Sequence, residues 1–426
     1  MRLRPTVLFL ALLLVSACDW TKTGPDVPPE HGYSHTLIYC AAGFNDLCTF
    51  LKEDLDDLKN GSYLPPEYGS RCLVAVTHFK EGSYSNLRPI EIVRIFSRNG
   101  KPVCDTLESI PGGKLLTEAD VLRNVLEKVA EHCPSESYGL ILSSHATGWL
   151  PSNYSGVAPL MASEGSQPVP RKEYRRRDYV NGPPVKSFGN EVRQNGYNLD
   201  GIDLDIRDLS DAIPYKLEYI LFDACFMGGI EVAYELKDKV DKVGFSQAEI
   251  LVYGFEYTTL AERLIHGVNP DPEAVCRDYF EKYEKGPEAN RSATISLVDC
   301  RRLDSLASVC GRLFSKYSGE IASVDASKVQ RYFRYGLDSD ERWYFDLEDI
   351  ILKCDASEED LRDLHDALGY CVLYKAATKT FMPGQSGFEI KHHCGLSSYL
   401  PKLGTSKLDK YYRSLEWNKA THLLSE

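Results

Sequence analysis

Short apolar runs alternate with amphipathic helical segments between His35 and Phe245, and this alternation restricts the chain to a small set of layered folds. His35 to Ala41, Leu73 to Thr77, Ile90 to Phe96, Tyr138 to Ser144, Leu217 to Phe222 and Lys242 to Phe245 read as strands. Asn45 can cap a helix whose apolar face is Leu47, Phe50, Leu51, Leu55 and Leu58, stopped by Asn60-Gly61. Thr117 is placed to cap a second helix, carrying Val121, Leu122, Val125, Leu126 and Val129. Asp205 to Ile213 is a short helix broken by Pro214, and Ile230 to Leu236 another. Apolar strands separated by helices predict a mostly parallel sheet covered on both faces, an α/β sandwich over residues 34–262. Residues 263–426 turn mainly helical, with Asp271 to Lys285, Asp304 to Tyr317 and Glu358 to Ala377 as helices, and brace that unit. The apolar segment Gly395 to Leu400 follows.

The N-terminus reads as an address rather than as structure. Arg2 and Arg4 precede an apolar stretch too short to span a bilayer comfortably, then Val15-Ser16-Ala17-Cys18. Residues 1–17 form a secretory signal, and its end resembles a bacterial lipobox. That resemblance makes Cys18 the lipidated first residue of an exported, envelope-anchored protein. Residues 18–33 are the tether. Which membrane holds the anchor is open. The chain has 426 residues and a formal net charge of −13, which excludes unaided wrapping of nucleic acid. Its 13 Cys show no metal-binding spacing. His392-His393 and the acidic run Asp54, Asp56 and Asp57 match no metal motif, so no metal site is assigned.

Two strands end in reactive side chains. One delivers His145, the other Asp223 and Cys225. Sites in open α/β sheets form beyond the carboxyl ends of strands, so neighbouring ends would bring imidazole and thiol together. A thiol needs such a partner to become a nucleophilic thiolate. Gly228-Gly229 then lead into a helix whose positive end would favour the same ionisation. Residues two apart in an extended chain point the same way, so Asp223 and Cys225 can face one cleft. Between the two motifs, 151–198 forms a long loop holding the basic cluster Arg171, Lys172, Arg175, Arg176 and Arg177.

The segments Ser-Ser-His-Ala-Thr-Gly-Trp (143–149) and Leu-Phe-Asp-Ala-Cys-Phe-Met-Gly-Gly-Ile-Glu-Val-Ala-Tyr-Glu-Leu (221–236) resemble the clostripain family of cysteine peptidases, relatives of caspases, legumains and gingipains. Thr36 to Ala42 with Asn45, Ser296 to Asp299 and Gly395 to Pro401 support the resemblance. It implies a caspase-like fold, with Cys225 as nucleophile, His145 as general base and Asp223 in an S1 pocket for Arg or Lys. The backbone N–H groups of Ala146 and Cys225 would hold the oxyanion. It also implies a zymogen that cuts itself between the His and the Cys, where the basic cluster lies. Peptide substrates are the expected partners and the chain is expected to be a monomer. Calcium enters by resemblance alone, and no cofactor is required.

One departure matters. The family has Gly where this chain has Ala146, and a site needing φ > 0 there would be strained. The alternative reading is therefore a surface binding protein on an impaired peptidase scaffold.

Overall fold

The computed structural model describes residues 32–152, 191–195, 198–202, 204–333, 343–383 and 387–425. Cys18, the tether up to residue 31 and the basic cluster at 171–177 lie outside them, and Tyr33, at the tether's end, is already buried in the core. In chain order the strands are β1 (His35–Gly43), β2 (Arg71–Phe79), β3 (Ile90–Arg98), β4 (Lys101–Ile110), β5 (Tyr138–Ser143), β6 (Glu191–Asn195), β7 (Asn198–Ile202), β8 (Leu217–Asp223), β9 (Val240–Phe245), β10 (Thr294–Asp299), β11 (Phe345–Asp346), β12 (Val372–Ala377), β13 (Thr380–Phe381), β14 (Phe388–Glu389) and β15 (Ser397–Ser398). The helices that matter below are α1 (Cys48–Lys59), α2 (Ala119–His132), α3 (Ile206–Ala212) and α4 (Ile230–Glu235).

Nine strands form one sheet in the order β12-β10-β9-β8-β5-β1-β2-β3-β4. The centre, from β9 through β8, β5 and β1 to β2, is parallel. Antiparallel pairs finish both edges. Side chains of a strand alternate between faces, yet all nine residues of β1 are buried. Both faces are therefore covered, as the continuous apolar runs require. On α2 the buried stripe is Val121, Leu122, Val125, Leu126 and Val129, the set read from its period. Each such side chain contributes roughly 1.5–3 kcal/mol by burial, so truncating Leu126 to Ala would cost about 2–5 kcal/mol. Thr117 does not cap this helix; Glu118 is the cap residue, and its side chain accepts no capping hydrogen bond.

The region beyond residue 262 is less purely helical than its sequence suggests. β10 and β12 join the central sheet, so the C-terminal part extends the same core. The expected helix from Glu358 to Ala377 stops at Cys371, and Val372–Ala377 becomes a strand. Pairing with β10, whose six residues are all buried, overrides the helical pattern there. β11 pairs with β15, and the N–H of Ser397 bonds the carbonyl of Gly228 at 2.9 Å. The C-terminal part thus reaches the loop that follows Cys225. No helix among the described residues is long and apolar enough to cross a membrane.

Candidate active site

β5 and β8 are parallel neighbours, and Ser143 stands opposite Asp223 in their register. His145 follows the first by two residues and Cys225 follows the second by two. Both reactive side chains therefore leave the sheet at matching positions on adjacent strands, at its carboxyl end.

On the other side of β5 runs β1, with Ala41 opposite Ser143. The turn after β1 is fixed by Asn45, whose amide donates to the Ala42 carbonyl at 3.1 Å and accepts from the Leu47 N–H at 2.9 Å. This turn presents Asp46, whose Oδ1 lies 2.8 Å from Nε2 of His145. The imidazole is buried, its side chain 2% exposed, while the Asp46 side chain is 81% exposed. Desolvation pushes the Asp46 carboxyl up, but the hydrogen bond to His145 and the attraction of its charge outweigh that and hold it below its ordinary value. An ionised carboxylate only accepts, so Nε2 is the donor. Nδ1 is buried and makes no hydrogen bond among the described residues. Ser144 ties the same loop to β1 by donating to the Ala42 carbonyl at 2.8 Å.

Ala146 has no positive φ; the left-handed residue of the His145 loop is Gly148, at φ +63°. The strain feared at Ala146 is therefore absent, and its N–H keeps an ordinary backbone geometry.

Cys225 is fully buried, and its sulfur accepts the N–H of Ile250 at 3.1 Å. The thiol in turn donates to the Ile250 carbonyl at 3.8 Å. The helix behind it, α4, has only six residues, fewer than two turns of aligned dipoles, so it adds less field than its sequence promised. Asp223 is also fully buried. Its Oδ2 accepts from Ser143 Oγ at 2.9 Å and from the Tyr257 hydroxyl at 2.7 Å. Burial, joined by the Asp223 charge, pushes the Tyr257 hydroxyl far above its ordinary pKa, which keeps it a donor. In this conformation neither the thiol nor the carboxylate meets solvent.

Three further residues shape the site. Glu191 lies inside the span 151–198 expected to be loop, where it begins strand β6, and it is fully buried against His78, with Oε1 to Nδ1 at 2.6 Å. It also accepts from the N–H groups of Phe44, Leu116 and Thr117. Through Phe44 it holds the turn that carries Asp46. Glu231, on α4, is fully buried and accepts from Ser398 Oγ, the Tyr399 N–H and the Tyr412 hydroxyl. Desolvation raises its carboxyl to about 7, against the lowering effect of those donors. Tyr344, just before β11, packs on Phe226 and donates to the Thr147 carbonyl. Sequence reading missed Asp46, although it stands just past a third strand end on the same side of the sheet. Among the described residues no group of three His, Cys, Asp or Glu side chains converges as metal ligands would. His392 instead pairs with Glu348 at 2.8 Å, and His393 bonds the Tyr332 hydroxyl at 3.0 Å.

The model of the Clostripain family matches residues 191–424, a span that contains Asp223 and Cys225 and begins after His145. Solved structures share the fold, among them the following two. An inactive zymogen C11 protease from Parabacteroides distasonis is 24% identical, with a TM-score of 0.72, covering 93% of this chain and 99% of that one. A secreted C11 cysteine protease from Bacteroides thetaiotaomicron, in complex with an irreversible peptide inhibitor, is 22% identical, with a TM-score of 0.70 and coverage of 91% and 98%. No curated protein matches the chain.

Proposed function

Because the chain belongs to the clostripain family of cysteine peptidases, we propose that it hydrolyses peptide bonds after Arg or Lys, with Cys225 as nucleophile and His145 as its acid–base partner. The observation that carries this reading is the register of β5 and β8, which sets the His145 and Cys225 strand ends side by side. Asp46 holds the imidazole by Nε2, which leaves Nδ1 as the working nitrogen.

In the reaction the Cys225 thiolate attacks the scissile carbonyl, and backbone N–H groups of Cys225 and Ala146 receive the oxyanion. His145 gives its proton to the leaving amine, and water, deprotonated by the same imidazole, hydrolyses the thioester. Asp223 sits two residues before the nucleophile and supplies the carboxylate for the P1 cation, where Arg would bind bidentately. That role requires the covering groups over Asp223 to part on activation. The burial of Asp223 and Cys225 in the intact chain supports a zymogen, cut after one of Arg171, Lys172, Arg175, Arg176 or Arg177. Export and a lipid anchor at Cys18 complete the reading. The rival reading, an impaired binding protein, rested on Ala146, whose φ removes its motive.

A panel of fluorogenic peptides differing only at P1 tests the proposal. Arg and Lys substrates are expected to be cleaved and Asp and Leu substrates spared, with all turnover lost in Cys225→Ala. Equal cleavage across the panel would remove the acidic S1 pocket, and turnover surviving in Cys225→Ala would remove the nucleophile. Cys225→Ala is also expected to stay a single chain where wild type gives two.

A further inference from the structure

Phe226 follows the nucleophile directly and has φ +60°, the left-handed region that a residue with a Cβ disfavours. Such a conformation persists only where its surroundings over-determine it. Here the Phe226 N–H bonds the Ala248 carbonyl at 3.0 Å. Its ring is stacked between two aromatic rings, Tyr344 with centroids 4.6 Å apart and planes 10° apart, and Phe333 at 5.5 Å and 20°.

The same tyrosine reaches the other catalytic loop. The Tyr344 hydroxyl donates to the carbonyl of Thr147, two residues past His145, at 2.5 Å. Between them lies Gly148, where an added Cβ would sit 2.4 Å from the Phe226 carbonyl oxygen and 3.1 Å from Cε1 of Tyr344. The glycine is what lets the two loops and the ring come this close. Tyr344 is itself anchored. Its carbonyl accepts from the Tyr332 N–H at 3.0 Å, and the next residue, Phe345, pairs with Ser398 in β15.

We infer that Tyr344 is a positioning residue that locks the His145 loop to the Cys225 loop, by its hydroxyl on Thr147 and its ring on Phe226. The inference rests on the proposed roles of His145 and Cys225 and adds how their mutual placement is set. Tyr344 acts through Thr147 and Phe226. A displacement near 1 Å between thiol and imidazole costs about 100-fold in rate, so a side chain that fixes both loops sets the chemistry without joining it.

The test uses full-length protein purified in active form, as wild type, Tyr344→Phe and Tyr344→Leu. The readouts are kcat and KM on a fluorogenic Lys peptide and the pH profile of Cys225 alkylation by iodoacetamide. Tyr344→Leu is expected to lower kcat by about 10-fold or more with KM within about 2-fold, and to move the alkylation profile to higher pH. Tyr344→Phe keeps the stack and is expected to lose about 3- to 10-fold in kcat. Wild-type kcat and alkylation profile in both variants would overturn the inference. If Tyr344→Leu does not fold, Tyr344→Phe decides alone by the same criteria. Wild type that turns over without alkylating at Cys225, or Cys225→Ala that stays active, would remove the underlying reading and this one with it, and is told apart by those controls.

Discussion

Asp46 Oδ1 and His145 Nε2 meet at 2.8 Å although 99 positions separate them in the chain. The contact engages Nε2 and leaves Nδ1 as the nitrogen available for the proposed reaction. Asn in place of Asp46 could present its amide nitrogen to Nε2 and permit the wrong tautomer. Asp46→Asn is expected to lower kcat about 10- to 100-fold with KM nearly unchanged, since a positioning contact is lost and substrate binding is not. The Asp46 side chain is mostly exposed, so thermal melting should not move. Steady-state kinetics beside a melting curve checks both.

Glu231 makes stability depend on pH. Burial raises its carboxyl to about 7, above the ordinary Glu value near 4.3. A native state that holds the proton more tightly is stabilised at low pH, and the contribution fades as pH rises from the unfolded value through the folded one. The expected loss between about pH 4.5 and 7.5 is of order 3 kcal/mol. Glu231→Gln keeps an acceptor for Ser398, Tyr399 and Tyr412 without the titration. Urea unfolding in a Cys225→Ala background is expected to show this slope in the parent and a flatter one in the double variant.

Glu191 pairs with His78 away from water and satisfies three backbone donors. Removing one member of a buried pair leaves the other uncompensated, at roughly 3–5 kcal/mol. Glu191→Ala is expected to cost that much in urea unfolding. Because Phe44 leads to Asp46, activity should also fall under conditions where the variant is fully folded.

Ala146→Gly tests the residue after His145, where the resemblance leads one to expect Gly. Ala146 has no positive φ, so glycine relieves nothing. Turnover within about 2-fold of wild type is expected. A large gain would mean that the methyl group obstructs the oxyanion site.

The strand ends carrying His145, Asp223 and Cys225 were legible because parallel central strands are apolar throughout, and their boundaries fall where polarity returns. The edge was harder. β4 is mostly exposed and carries no apolar period, although Asn99 and Gly100, both at positive φ, mark the hairpin turn into it. β12 was hidden because it follows the helix Glu358–Cys371 without a break. Asp46, Glu191 and Tyr344 depend on partners 99, 113 and 197 positions away, and nothing local marks such contacts.

The most direct measurement is stoichiometric labelling of active enzyme with a lysyl chloromethyl ketone, followed by peptide mapping. One equivalent on Cys225, with labelling lost in Cys225→Ala and slowed strongly in His145→Ala, is the result expected. Label on another residue, or full-rate labelling of Cys225 without His145, would contradict the pairing of this thiol with this imidazole.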